Sequence, residues 1–99
     1  MGMVTVDRTE IFIKWLKKLK DRRAKAIIAI HIDRMEDGNF GKTEHVGDGV
    51  YEKKIDYGSG YRLYFCQMGD AWVLLLCGGD KSNQQADINY AKELRKGLK

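Results

Sequence analysis

The 99-residue sequence contains no proline, only two cysteines and no long apolar run. Because proline is absent, its turns must depend on glycine, of which there are 11. A membrane-spanning helix needs about 20 consecutive apolar residues, and no segment approaches that length. The first residues also lack the basic and then apolar layout of a signal peptide. We therefore expect a cytoplasmic protein without a membrane segment.

The composition is that of a folded domain, with 43% apolar and 32% charged residues. A chain of this length can build one modest core, so residues 1–99 are predicted to form a single domain. The formal net charge is +4. A basic balance favours an anionic partner such as nucleic acid, although many inert domains are equally basic.

The apolar periodicity predicts an α+β fold with the element order β-α-α-(β)-β-β-β-α. The predicted segments are a strand at 3–7, a helix from Asp7 or Thr9 to about Lys20, a helix from Asp21 to about Gly38, a short strand near Thr43–Val46, strands at Val50–Tyr57, Tyr61–Met68 and Ala71–Cys77, and a helix capped by Ser82, with Gln85 completing the cap, to about Leu98. Glycine-containing turns join the last three strands as hairpins. We expect the two N-terminal helices and the C-terminal helix to pack on this antiparallel sheet.

The hairpin pairing sorts the strand side chains onto two faces. A symmetric turn at 58–60 would pair Ile55 with Leu63 and Lys54 with Tyr64. The core face, covered by the first two helices, would then carry Ile55, Leu63, Phe65, Trp72, Leu74 and Leu76. The opposite, open face would carry Glu52, Lys54, Asp56, Arg62 and Tyr64.

Two interpretations of this charged face remain open. Most polar sheet faces are solvated and held by cross-strand ion pairs. The functional alternative is a basic surface on which Lys54 and Arg62 hold a phosphate. Arginine suits that role because its planar guanidinium binds phosphate through two parallel hydrogen bonds.

Three further residues are candidates for contacts with an anion. His45 precedes the sheet and would reach its polar face, and histidine can transfer protons near neutral pH. Lys81 and Ser82 lie where the last helix is predicted to begin, a position at which phosphate binds readily.

The cysteines and histidines predict neither a disulfide nor a metal site. With Cys66 facing Val73, Cys77 would lie roughly 13 Å away at ~3.3 Å per strand residue, beyond disulfide range. Both are therefore expected to be reduced, half-buried thiols. With His31 and His45 they show no metal-ligand spacing, so no metal is expected.

Several segments together resemble a known family. The main runs extend from Asp56 to Phe65 (DYGSGYRLYF) and from Leu74 to Gln84 (LLLCGGDKSNQ). The upstream segments GNFG at 38–41 and VGDGV at 46–50 also fit. Over nearly its whole length the chain resembles the phage-derived Gp49-like branch of the RelE/HigB toxins, often described as addiction-module killer proteins.

The resemblance implies a RelE-like fold and the toxin of a type II toxin–antitoxin system. The implied activity is that of a ribosome-dependent mRNA endonuclease, an mRNA interferase that inhibits translation without metal or other cofactor. The implied partners are a cognate helix-turn-helix antitoxin, the ribosome and mRNA. Two alternatives remain: a ParE-like inhibitor of DNA gyrase, and a catalytically weakened module that only binds nucleic acid or antitoxin.

The resemblance also assigns roles to individual residues. Arg62 and Tyr64 match a Tyr-Arg-x-Tyr strand, whereas Lys54 stands where an arginine is usual. Arg62 would stabilise charge on the scissile phosphate, Lys54 would hold it or accept the 2′-OH proton, and Tyr64 would stack a base or protonate the leaving oxygen. The predicted RNA-contacting residues are Lys81, Lys53, Ser82 and His45, with Lys53 expected to point to the other face.

Three further departures from the family pattern are visible. Lys53 stands where a leucine is usual, and Ile27 and His31 stand where arginines are usual. Ile27 would enlarge an apolar patch with Ile30 on the second helix. Such a patch suits a changed antitoxin surface or self-association through that helix.

Overall fold

In the computed structural model, which describes residues 3–98, α-helices pack on both faces of a five-stranded sheet. The elements, in chain order, are β1 (Thr5–Arg8), α1 (Glu10–Lys18), α2 (Arg22–Glu36), β2 (Thr43–Gly47), β3 (Val50–Ile55), β4 (Tyr61–Gly69), β5 (Trp72–Asp80), a 3₁₀ turn (Lys81–Asn83) and α3 (Gln84–Lys96). The predicted α+β class and element order are confirmed. Within residues 3–98, every helix is too short or too polar to cross a membrane.

The strand order in the sheet is β1-β5-β4-β3-β2. Strands β2 to β5 form the predicted antiparallel meander, in which each strand pairs with the next in sequence. Strand β1 extends the sheet on the far side of β5 and runs parallel to it, with Thr5 opposite Trp72 and Arg8 opposite Leu75. This parallel pairing joins distant parts of the chain, so no local turn signal in the sequence could have indicated it.

The register of the β3–β4 hairpin differs from the prediction by two residues. Ile55 pairs with Tyr61 and Lys54 with Arg62, because a longer loop spanning residues 56–60 connects the strands. The amide of Gly60 donates to the carbonyl of Tyr57 at 2.9 Å, and Gly60 has a φ of +85°, which glycine adopts without strain. Because side chains alternate with a period of two, the shift leaves the predicted faces of β3 and β4 unchanged.

The predicted core face of β5 is wrong. Val73 and Leu75 pack against the first two helices, whereas Leu74 and Leu76 pack with α3 on the opposite face. Trp72 is 43% exposed, and its indole donates to Asp7 Oδ2 at 2.7 Å. The physical reason is that β4–β5 pairing is irregular at two places, and such bulges reset the alternation of the strand.

The helix starts confirm two of the predicted caps and correct the third. Thr9 caps α1 by accepting from the amide of Phe12, and Asp21 caps α2 by accepting from the amides of Arg23 and Ala24. Ser82 caps nothing. Its amide and hydroxyl both donate to Asp80 Oδ1, because this carboxylate closes a 3₁₀ turn before α3 begins. Gln85 donates to Asn89 instead of completing a capping box.

The sheet has a separate apolar core on each face. As predicted, α1 and α2 cover one face, where Phe12, Ile28 and Leu63 are fully buried. On the other face, α3 places Ile88 and Ala91 against buried strand residues that include Tyr64 and Leu76. The face expected to be open is therefore partly covered by the C-terminal helix.

Both cysteines are free, as predicted, but they are buried and not half-buried. Cys66 pairs with Leu74, one residue from the expected register, and both thiols lie in the core beneath α3. Burial, with a smaller contribution from Asp87, raises the pKa of the Cys77 thiol to about 12. Burial also raises the pKa of the Cys66 thiol, although Arg95 opposes this shift.

These thiols predict a loss of stability in alkali. Above a pH of about 9 an unfolded cysteine loses its proton, whereas the folded Cys77 keeps it up to about 12. The free energy of unfolding should then fall as pH rises through this window, by at most ~1.4 kcal/mol per pH unit for one group. Urea denaturation at successive pH values should show a shallower fall for Cys77→Ala than for the wild type. Cys66→Ala is the matched control and should change the slope less; equal slopes in all three proteins would contradict the prediction.

Candidate functional site

Lys54 and Arg62 lie directly opposite each other on β3 and β4. The side chain of Lys54 is 40% exposed, and that of Arg62 is 14% exposed. Like charges placed opposite each other on a sheet repel unless nearby groups compensate them. The two side chains share one face of the sheet, as predicted, and form a pair of neighbouring cations.

The residue next along this face, Glu52, is a buried carboxylate with 1% of its surface exposed. Its Oε2 accepts from the Tyr64 hydroxyl at 3.0 Å and from Gln84 Nε2 at 2.8 Å. The Nε atom of Arg62 lies 3.5 Å from the same oxygen. A buried carboxylate is stable only when it is paired and hydrogen-bonded. Glu52 is therefore the centre of a polar network that links β3, β4 and α3, and sequence reasoning missed this role.

Tyr64 does not emerge on an open face. It is fully buried beneath α3, so the prediction that the Arg62, Lys54 and Tyr64 side chains emerge together is wrong for the tyrosine. Burial, followed by the hydrogen bond to Glu52 and its charge, raises the pKa of the Tyr64 phenol. The phenol therefore remains a proton donor to Glu52, and in this position it cannot stack on a base.

The guanidinium of Arg62 is incompletely satisfied. Its Nε atom is buried and has no hydrogen-bond partner, because the approach to Glu52 is outside hydrogen-bond geometry. A buried donor without a partner costs free energy. Arg62 is held beside the Glu52 carboxylate through this nitrogen, while 14% of its side chain remains exposed to a ligand.

A glycine opposite Arg62 brings a second carboxylate close to the sheet. Gly79 pairs with Arg62, and a β-carbon at this position would collide with the carboxylate of Asp87. Burial, with a contribution from Asp80, raises the pKa of Asp87. A side chain at position 79 would force this carboxylate to move and so change the charges around Arg62.

Exposed ion pairs border the Lys54–Arg62 pair. Lys42 Nζ lies 2.7 Å from Asp56 Oδ2, and Lys54 Nζ lies 4.0 Å from Glu44 Oε1. The hydrogen bond from Lys42 lowers the pKa of Asp56, with smaller contributions from Lys54 and Arg62. Pairs as exposed as these contribute little stability. A polyanion can therefore replace the carboxylates at low cost.

Lys81 and Ser82, the two residues that follow β5, have different environments. Lys81 is exposed, and its side chain reaches the β3–β4 loop, with Cδ 3.8 Å from where a β-carbon of Gly60 would lie. It therefore lies at the end of the sheet where β4 begins, near Arg62. Ser82 is engaged with Asp80, whose pKa is lowered by these hydrogen bonds and by Arg62.

His45 and Lys53 lie on the opposite side of the sheet from Arg62. His45 pairs with Tyr51, and their ring centroids are 4.9 Å apart, so the prediction that His45 reaches the polar face is wrong. The physical reason is alternation on β2, which directs its neighbour Glu44 to that face instead. Lys53 points to the other face, as predicted, and donates to the carbonyl of Phe40 at 2.8 Å.

Two further expectations concern metal binding and the second helix. No group of three or more His, Cys, Asp or Glu residues that could hold a metal occurs within residues 3–98.

Ile27 packs against the core beneath α1 and α2, while Ile30 is 49% exposed. The expected apolar patch on α2 is therefore smaller than the sequence suggests, and self-association through this helix stays a prediction.

The comparisons with known proteins agree with the expected family and fold. Residues 14–97 match the family described as Phage derived protein Gp49-like (DUF891). An uncharacterized protein of Haemophilus influenzae is 47% identical over 95 residues, which are 96% of each chain.

Two solved structures from E. coli show the same fold. A double arginine-to-alanine mutant of the toxin RelE in the free state matches with a TM-score of 0.73 and 17% identity, covering 97% of this chain and 99% of that one. A chain of the intact RelBE toxin–antitoxin complex matches with a TM-score of 0.50 and 18% identity, covering 78% and 95%. The expected RelE-like fold is confirmed.

Proposed function

Because the chain belongs to the phage-derived Gp49-like family and has the RelE fold, we propose that it is the toxin of a type II toxin–antitoxin pair and cleaves mRNA on the ribosome. The observation that carries this proposal is the Lys54–Arg62 pair, in which two cations lie side by side on one face of the sheet and the guanidinium is held beside Glu52. Its natural partner is an antitoxin, as in the RelBE complex.

RNA carries its own nucleophile, so the protein needs mainly to position the strand and stabilise charge. The 2′-oxygen loses its proton and attacks phosphorus, and the bond to the 5′-oxygen breaks as that oxygen gains a proton. Negative charge builds on the phosphate during this step, where Arg62 and Lys54 stabilise it. Lys81, at the same end of the sheet, binds a flanking phosphate.

The buried network fixes the direction of Arg62. Tyr64 and Gln84 hold the Glu52 carboxylate, and this carboxylate lies 3.5 Å from the Arg62 Nε. The nitrogens at the outer end of the guanidinium are then left to face the ligand. Tyr64 and Glu52 act as positioning residues in this mechanism, and the tyrosine does not contact RNA.

Expression of the chain alone in bacterial cells tests this function. Growth should stop within one or two generations, and primer extension on cellular mRNA should show discrete breaks within translated codons. Co-expression of the helix-turn-helix protein encoded next to the gene should restore growth. Growth arrest without breaks, accompanied by loss of DNA supercoiling, would instead support a ParE-like gyrase inhibitor.

A second candidate function is a module that binds nucleic acid or antitoxin without cleavage. The burial of Tyr64 and the carboxylates around Arg62 favour it, because they remove one predicted catalytic group and reduce the local positive charge. This function predicts that overexpression is harmless while binding to the antitoxin is retained.

A further inference from the structure

A basic cavity lies on the other side of β3 from Glu52, between α2 and the segment that leads to β2. Its volume is about 280 Å³, and its charged and titratable lining residues are His31, Arg34, Lys42, Lys53, Lys54 and Asp56. Asp56, the one acid among the lining residues, is already paired with Lys42. The cavity therefore carries an excess of positive charge, unlike the surroundings of Arg62.

Lys53 supplies the most deeply placed charge of this cavity. The residue is 1% exposed, and its ammonium donates to the Phe40 carbonyl at 2.8 Å. An ammonium group has three donors, and a buried one is costly unless it is paired with a carboxylate or another anion. Among residues 3–98, no carboxylate lies within ion-pair distance of Lys53 or Arg34.

His31 gives a second, independent sign of an unfilled polar site. Its Nδ1 atom is buried and has no hydrogen-bond partner within the described residues. Burial lowers the pKa of this imidazole, and the charges of Lys53 and Arg34 lower it further. Burial and Arg34 also lower the pKa of Lys53. The cationic groups are thus close enough to repel one another, and an anion between them would relieve that repulsion.

The backbone at residues 39–41 approaches the ammonium of Lys53 closely. A β-carbon at Gly41 would lie 2.8 Å from Lys53 Nζ, so any other residue would crowd this charge. Gly41 has a φ of +60°, and the side chain of Asn39 accepts from its amide. This conformation suits glycine and lets the main chain lie close to the ammonium with no side chain between them.

We propose that this cavity binds a phosphate of the RNA strand, adjacent to the phosphate held at Arg62. Lys54 connects the two positions, because it lies opposite Arg62 and also lines the cavity. Arg34 and Lys53 provide the combination of a guanidinium fork and a point charge that phosphate favours. The subsite rests on the proposed function for the identity of its ligand, and it extends the RNA path around the edge of the sheet.

Binding of an uncleavable RNA tests the subsite. The probe is a single-stranded 2′-O-methyl oligonucleotide, whose affinity is measured by fluorescence anisotropy over a range of salt concentrations. Loss of one phosphate contact lowers the slope of log K against log salt by about 0.7, which corresponds to roughly fivefold weaker binding at 0.1 M salt. Lys53→Met should show this change, whereas Lys14→Met, on the exposed side of α1, should keep the wild-type slope.

Stability measurements test whether the Lys53→Met variant folds. Lys53→Met should melt at the wild-type temperature or above it, because a buried charge is replaced by an apolar side chain of similar length. Inorganic phosphate should raise the melting temperature of the wild type and of Arg62→Ala, but raise that of Lys53→Met less. If Lys53→Met does not fold, Arg34→Gln, at an exposed lining residue, takes its place with the same expected slope.

The outcomes separate this subsite from the proposed nuclease. An unchanged salt slope in both Lys53→Met and Arg34→Gln would overturn the subsite even if mRNA cleavage were demonstrated. A reduced slope for RNA would support it even if the protein cleaved nothing. If the two variants weakened only antitoxin binding, the cavity would instead receive an acidic side chain of that partner, and the proposal would be wrong.

Discussion

Replacing Arg62 with alanine should lower the rate of mRNA cleavage by about 10²- to 10³-fold. The guanidinium is the less exposed of the two opposed cations, and its Nε faces Glu52, so its outer nitrogens are the donors available to a developing oxyanion. The residual rate would depend on Lys54 and on the positioning of the strand by Lys81. Time courses of primer extension on mRNA from cells expressing equal amounts of each protein measure the difference, and growth arrest should be lost with it.

Two companion variants show whether the loss is specific. Arg62→Lys keeps a charge but not the planar fork, so it should recover only part of the rate. Arg22→Ala removes an exposed arginine at the start of α2 and should cleave at the wild-type rate. Undiminished killing by a folded Arg62→Ala protein would show that the site is assigned incorrectly.

Replacing Glu52 with alanine should lower the free energy of unfolding by about 3–5 kcal/mol. The substitution removes the acceptor for Tyr64 and Gln84 and the carboxylate beside Arg62, all in a buried region. A domain has a free energy of unfolding of only about 5–15 kcal/mol, so this single change would remove a large part of it. Urea denaturation monitored by tryptophan fluorescence measures the loss, which should also lower the melting temperature by at least about 10 °C.

The matched control is Glu44→Ala, because Glu44 lies opposite Glu52 on β2 but is exposed. Its stability should stay within about 0.5 kcal/mol of the wild type. Glu52→Gln keeps an oxygen that can accept from Tyr64 and should be less destabilised than Glu52→Ala. If Glu52→Ala and Glu44→Ala unfolded at the same urea concentration, the buried network would not contribute to stability as described.

The faces of β3 and β4 are predictable from the sequence because a register shift by an even number of residues leaves every side chain on the same face. The pairing of β3 with β4 was predicted with a shift of two residues, yet Lys54 and Arg62 still lie on one face and Lys53 on the other. The run from Val73 to Cys77 was not predictable in the same way. It is apolar throughout, so periodicity gives no sign of the bulge at Leu76, through which the consecutive residues Leu76 and Cys77 both lie in the core beneath α3.

The sequence does not indicate which segments cover each face of the sheet. Alternation places Glu52 on the face expected to be open, and Lys53 is predicted to contact RNA from the other face, yet each is 1% exposed. Their burial depends on α3 and on the segment at residues 39–41, which approach β3 only in the folded chain. Charged residues are buried so rarely that a sequence pattern cannot favour their burial. The residues that cover Glu52 and Lys53 are also distant from them in sequence.

The parallel pairing of β1 with β5 has a consequence for the order of folding. The hydroxyl of Thr9, just after β1, donates to the carbonyl of Leu76, 67 residues further along the chain. Contacts over such separations form late, because a long loop must close before they are gained. Until β1 docks, the apolar β5 is an unprotected edge that can pair with another molecule. Newly made chains are therefore most prone to aggregation in the interval between completion of the meander and arrival of the N-terminal strand.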